Sequence, residues 1–171
     1  MRTARRAKAL DAVRNVTGSP ERIAFIDFEA SGLIGASWPV EVGWAFVDGD
    51  PSSLLIRPDP AWAMSAWDPA AERLHGLSLE RLERDGVEAA SACAAVADAL
   101  AGCAVYSDAP DWDAYWMMRL FAAAGRRMPF VVREFSRVMP ALTPEMKTRI
   151  LSAADADSPR RHRAADDARH L

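Results

Sequence analysis

The chain has 171 residues, half of them hydrophobic and 26% charged, with a formal net charge of −3 at pH 7. That length suits a single domain with a substantial core, and the negative balance excludes a protein that coats nucleic acid by bulk electrostatics, though not an enzyme that meets it locally. No uninterrupted apolar run approaches the roughly 20 residues that span a bilayer, so no membrane partner is expected.

The first fourteen residues carry Arg2, Arg5, Arg6, Lys8 and Arg14 with no apolar stretch behind them, which predicts a solvated or frayed first helix rather than a secretory signal. Ile23 to Glu29 then reads as a buried strand, Val40 to Val47 as a second and Ser53 to Arg57 as a third. Short turns at Gly32–Trp38 and Asp48–Pro51 make these an antiparallel meander. Asp68-Pro69 opens a short helix that Gly76 stops, and Ser78 to about Arg84 gives another turn or two. Val87 to Ala101 is an alanine-rich helix closed by Gly102, and Ala104 to Ser107 a fourth strand, parallel to a neighbour because a helical crossover reaches it. A helix from about Trp112 to Ala124, a strand over Phe130–Phe135 and one or two tail helices complete a βββαβαβα order. This predicts an α/β fold: a mixed five-stranded sheet, first an antiparallel meander and then parallel strands, flanked by helices. Cys93 and Cys103 have no zinc-site spacing and are expected to be reduced thiols in a cytoplasmic protein. Residues 1–171 read as one domain, with no internal repeat or interdomain linker.

Chemistry begins in the first strand. Residues two apart share a strand face about 6.6 Å apart, so Asp27 and Glu29 aim two carboxylates at the same place, and a buried pair of like charges requires a cation between them. In the helix opening at Trp112, Asp113 lies on the apolar face of Trp116, Met117, Leu120 and Ala124, whereas Asp111 occupies the expected N-cap and Asp108 a Ser-Asp-Ala-Pro turn. At the C-terminus Asp167 shares an inward face with Ala164, Ala168 and Leu171. His162, five residues earlier and so roughly 500° around a helix, must hang from the entry loop. Singly, each has an ordinary explanation: Asp113 as a first-turn acid meeting the helix dipole, His162 as a solvated residue of an Arg-rich tail.

Together these motifs resemble the DEDDh branch of the 3′-5′ exonuclease superfamily, the group that includes ribonuclease T and the proofreading subunit of bacterial DNA polymerase III. Phe25-Ile26-Asp27-Phe28-Glu29-Ala30-Ser31-Gly32-Leu33 looks like the first family motif, with Ala30-Ser31 where a threonine often precedes the glycine. Leu74-His75-Gly76-Leu77 looks like the family's His-Gly segment. Tyr106 to Asp113 looks like the second motif, with Trp-Asp in place of the usual Phe-Asp, and His162-Arg163-Ala164-Ala165-Asp166-Asp167-Ala168 like the third. The resemblance spans about Arg22 to Leu171 and implies a ribonuclease H-like fold. It also implies a metal-dependent hydrolase that releases 5′-mononucleotides from the 3′ end of single-stranded DNA or RNA. It assigns Asp27 as a ligand bridging two Mg²⁺ or Mn²⁺ ions, with Glu29 and Asp167 on the ion that binds the attacking water and Asp113 on the second. His162 becomes the general base, a role that suits imidazole. Ala30, Ser31 and Leu33 become expected substrate contacts, with His75 facing either the cleft or its own helix end. Core packing is expected of Trp112 and Trp116, and Trp38 is open to base stacking. Metal contacts by Asp108 or Asp111, the choice between DNA and RNA, and oligomeric state stay open. So do two rival readings: a nucleic-acid-binding module of this fold with little turnover, and a structural protein whose acids only cap helices.

Overall fold

Strand β1 (Arg22–Ala30) sorts its side chains onto two faces by simple alternation. Ala24, Ile26, Phe28 and Ala30 enter the main core, which also holds Trp38, Val42, Leu82, Val96, Trp116, Met117 and Leu120. Ile23 and Phe25 join a second cluster with Ala104, Tyr106, Phe135 and Val138 on the opposite face. Asp27 and Glu29 continue that second face beyond the point where its apolar contacts end. These relations come from a computed structural model that describes residues 22–47, 49–138 and 162–171, together with residues 143, 145, 148, 149 and 152. The basic N-terminal segment lies outside the described residues, as does most of the tail before His162.

The sheet has the order β3-β2-β1-β4-β5. Strands β2 (Pro39–Phe46) and β3 (Ser52–Leu55) pair antiparallel with their neighbours, and β4 (Cys103–Ser107) and β5 (Val132–Glu134) pair parallel, as the connection lengths predict. Helices α1 (Pro69–His75), α2 (Leu79–Asp85), α3 (Ala89–Ala99) and α4 (Pro110–Ala123) lie between the strands, and α5 (Ala164–His170) packs across β1 and β2. Asp68 and Ser78 cap α1 and α2 through their side chains, and Gly76 ends α1 in the left-handed conformation, as the capping signals indicate. No helix among the described residues is long and apolar enough to cross a membrane.

Among the boundaries that differ from those read in the sequence, three have a clear local cause. The alanine-rich helix starts at Ala89 because Val87 is taken up in a parallel bridge to Ile56, with Arg57 N donating to Val87 O at 2.8 Å. The fifth strand is confined to Val132–Glu134, and Phe135 turns directly into a 3-10 helix that buries Phe135 and Val138. Helix α4 begins two residues early at Pro110, so Ala109 is its N-cap and Asp111 is an exposed acid of its first turn rather than a cap.

Trp38 is fully buried between Trp62 and Trp67, with ring centroids 5.5 Å away on each side, and its Nε1 donates to Ala63 O at 3.1 Å. It is therefore part of the core and not a platform for a base. Trp38→Ala should cost about 3–5 kcal/mol, read as a lowered urea midpoint with an unchanged slope; a loss under about 1 kcal/mol would contradict this packing.

Candidate metal centre

The acids gather at the carboxyl ends of β1 and β4, where parallel strands ordinarily present their ligand sites. Two groups form side by side. Glu29, His162 and Asp167 offer ligand atoms all within 4.8 Å of one another, and Asp27, Asp108 and Asp113 offer a second such set. Because Asp27 and Glu29 lie two residues apart on β1, the two sets adjoin along one strand.

Each wall of this centre has its own anchorage. Asp113 is buried in the first turn of α4 and accepts a hydrogen bond from Ser107 Oγ, which itself accepts from Ala109 N at 2.9 Å. Ser107 thus ties the end of β4 to the carboxylate of α4. Asp167 is buried on α5, one residue after the more open Asp166, in the inward orientation that helical spacing predicts. His162 is exposed at the bend before α5 and holds φ 51°, a left-handed conformation that non-glycine residues adopt infrequently. That bend brings its ring to Glu29 and Asp167 from outside the helix.

The electrostatics follow from crowding. Burial pushes Asp27 well above the ordinary carboxylate range, and the charges of Asp113, Glu29, Asp167 and Asp108 push it further in the same direction. Burial, then Asp167 and Glu41, raise Glu29 to about 8, against a smaller opposing pull from Arg163. Asp113 is raised to about 7, again chiefly by burial, despite the hydrogen bond from Ser107. Positive charge among these groups would favour ionising them together at neutral pH. Hard oxygen donors with one imidazole and no thiolate fit Mg²⁺ or Mn²⁺. Glu29 and Asp167 with His162 alongside, and Asp27, Asp108 and Asp113, are the residues that could hold such ions.

The five residues singled out from the sequence (Asp27, Glu29, Asp113, His162 and Asp167) are thus brought together, and Asp108 joins them. Asp108 was read as a turn residue whose contact with metal stayed open, and its position directly after β4, within reach of β1, is not encoded in local spacing. Around the centre, Ala30 and Ser31 have buried side chains. Ser31 Oγ accepts from Trp38 N at 3.0 Å, and Ser31 O accepts from Asp68 N at 2.7 Å. Leu33 is 70% exposed and Ile34 is also open, on a loop held by Tyr115 Oη donating to Gly35 O and by Trp116 Nε1 donating to Ser37 Oγ at 2.9 Å. Trp116 is core as expected. Trp112 is not, since it stacks on Trp116 at 5.2 Å but leaves 37% of its surface in solvent. His75 is buried, its Nδ1 accepts from Leu77 N at 3.0 Å, and burial lowers its pKa, so the helix-end role is the one its contacts describe.

No protein-family model matches this sequence, and no curated protein sequence matches it. Solved structures do match by shape. The zinc-bound form of the E. coli ExoI–ssDNA complex is 15% identical, with a TM-score of 0.67 over 89% of this chain and 39% of that one. E. coli exonuclease I in complex with a dT13 oligonucleotide gives the same identity and TM-score over 88% of this chain and 39% of that chain. Exonuclease I from Methylocaldum szegediense gives 16% identity and a TM-score of 0.62 over 88% and 38%. These likenesses establish a shared fold, and the chain spans about two fifths of the length of these relatives.

In the unfolded chain the Glu29 carboxyl ionises near 4.5 and in the folded metal-free chain near 8, so between these values the folded state holds an extra proton. The associated stability is complete below the lower value and is lost as pH rises through the upper one. The melting temperature of the metal-free protein should therefore fall from about pH 5 to about pH 8, more shallowly in Glu29→Gln, and saturating Mg²⁺ should remove the fall. A melting temperature that is flat or rises over this range would contradict the crowding.

Proposed function

We propose that this chain is a metal-dependent 3′-5′ exonuclease that hydrolyses phosphodiester bonds of single-stranded DNA or RNA from the 3′ end, with residues 1–171 acting as one exonuclease domain. The observation that carries the reading is the adjoining pair of ligand groups, Glu29–His162–Asp167 and Asp27–Asp108–Asp113, at the carboxyl end of a single strand. A structural protein that uses its acids for helix caps has no reason to bury three carboxyls together where each hinders ionisation of the next. The shared fold with exonuclease I, several of whose structures hold single-stranded DNA or an oligonucleotide, supports the same reading.

Two divalent ions, Mg²⁺ or Mn²⁺, would supply charge stabilisation for the phosphoryl oxygens and for the departing 3′ oxygen. Glu29 and Asp167 would hold one, Asp113 and Asp108 the other, and Asp27, whose carboxyl feels all four of these acids, lies between them. His162, exposed and beside Glu29 and Asp167, would take the proton from the attacking water. Ser107 keeps the Asp113 carboxylate aimed at the centre. Leu33 and Ile34 on one loop and the open edge of Trp112 on α4 are exposed apolar groups that would meet the terminal nucleotide, where stacking on an aromatic face contributes about 1 to 3 kcal/mol whatever the base. The backbone at Ala30 and Ser31, directly after Glu29 in the chain, would contact the same nucleotide, and His75 would act only at its helix end, where its Nδ1 accepts from Leu77 N.

The decisive experiment incubates the protein with 5′-labelled single-stranded DNA and RNA of one sequence, with Mg²⁺ or with EDTA. Mononucleotide release and a ladder shortening from the 3′ end, abolished by EDTA, is the expected result; oligonucleotide binding without release would favour the binding module instead. Asp27→Ala and Asp167→Ala should each lose more than about 100-fold in activity, beyond the loss expected for a partner outside the ligand set. His162→Ala should lower turnover by about 10²- to 10⁴-fold while leaving Mn²⁺ affinity within a few-fold. Equal losses in turnover and affinity would make His162 a ligand rather than the base.

A further inference from the structure

Glu41 stands directly across from Glu29 in the β1–β2 register, on the same face of the sheet, and yet belongs to neither ligand group. Its carboxylate is completely buried and fully engaged. Oε1 accepts from Ser53 Oγ at 2.8 Å and from Arg163 Nη2 at 2.9 Å, and Oε2 accepts from Arg163 Nε at 2.9 Å and from Ala164 N at 3.2 Å. These bonds hold its pKa below the usual range against the upward push of burial. An acid with every lone pair so occupied has no capacity left for a metal ion. What it holds instead is the entry of α5, through a two-pronged guanidinium contact and the first amide of the helix.

A second observation, independent of charge, concerns the same contact. A Cβ built on Gly43, two residues along β2 and opposite Asp27, would lie 2.1 Å from Ala164 C, 2.2 Å from Ala164 O and 2.4 Å from Ala165 N. All three are backbone atoms that cannot swing aside. Helix α5 therefore rests directly on the strand, closer than any side chain would allow, and Glu41 and Arg163 clasp it there. Arg163 lies between His162 and Ala164, so its anchorage fixes the bend that presents His162 and the helix that presents Asp167.

We propose that the Glu41–Arg163 ion pair, with Gly43 beneath it, is a positioning device that builds the Glu29–His162–Asp167 half of the centre and leaves the Asp27–Asp108–Asp113 half independent of it. The inference rests on the two-ion reading given above. Arg163 and Glu41 touch no reacting group, and they act by setting where Asp167 and His162 stand relative to Glu29. The remaining half is tied down separately by Ser107 and α4.

Mn²⁺ binding separates this from a general loss of stability, which would weaken both ions together. The full-length chain and its Arg163→Met and Arg163→Lys variants are titrated with Mn²⁺, with stoichiometry followed by calorimetry and the spin coupling of paired ions by electron paramagnetic resonance. The unaltered protein should bind two coupled ions. Arg163→Met should retain one ion at unchanged affinity, lose the coupling signal and bind the other about 10- to 100-fold more weakly. Arg163→Lys, which keeps the charge but not the fork, should fall between them. Two coupled ions in Arg163→Met, each within twofold of the unaltered affinity, would overturn the proposal, as would equal weakening of both. If Arg163→Met does not fold, Arg163→Lys decides alone: two ions at unaltered affinity would overturn the proposal, and selective weakening of one would support it. An unaltered protein that binds no Mn²⁺ would overturn the metal reading and this proposal with it.

Discussion

Carboxyl groups crowded at the end of one strand are the constraint around which this structure is arranged. Two like charges about 4 Å apart repel by roughly 4 kcal/mol at an effective dielectric near 20, and burial adds to that cost. Asp27, Glu29 and Asp113 answer it in the metal-free chain by holding on to protons well above the usual carboxylate range. A fold that keeps such an arrangement gives up stability that ordinary apolar residues at these positions would provide. The strain is confined to one end of β1, while Ile23 and Phe25 on the same face, and the whole opposite face, pack conventionally. The expensive part of the molecule is thus small and is surrounded by well-filled core.

The arrangement also explains why the crowding does not unravel the site. Asp113 and Asp167 each arrive on an element with a separate hold on the sheet: Asp113 through Ser107 at the end of β4, and Asp167 through a helix clasped by Glu41 and seated on Gly43. Glu41 shows how environment separates two neighbouring acids into different roles. Glu29 faces other carboxylates and is pushed up to about 8, whereas Glu41, one strand over, faces a guanidinium and is held low. The same residue type on the same sheet face lies among carboxylates that could hold a cation in one case and braces a helix in the other.

Much of this was legible from local pattern. The strand alternation that puts Asp27 and Glu29 on one face, the helical spacing that turns Asp113 and Asp167 inward, and the rotation that forces His162 out of the helix are all properties of a few consecutive residues, and they hold in the folded chain. What was not legible depends on contacts between distant segments. The metal contact of Asp108 stayed open because nothing local says that the end of β4 lies beside β1. Glu41 sat unremarked in an apolar run, although an acid inside a buried strand is itself a signal that a partner is needed. Its partner lies 122 positions away. Trp38, left open by the sequence, lies in the core, and Trp112, expected there, keeps an open edge, for the same reason: exposure of an aromatic ring is decided by which segments stack on it and not by its neighbours in sequence.

The central claim is that these carboxylates converge in order to hold paired dications, and the most direct measurement is an anomalous difference map from crystals grown with Mn²⁺. The account predicts two peaks roughly 3.5 to 4 Å apart, one against Glu29 and Asp167 and the other against Asp113, with Asp27 touching both. No peak at the end of β1, or a single ion bound elsewhere with Asp113 and Asp167 turned away from one another, would contradict it.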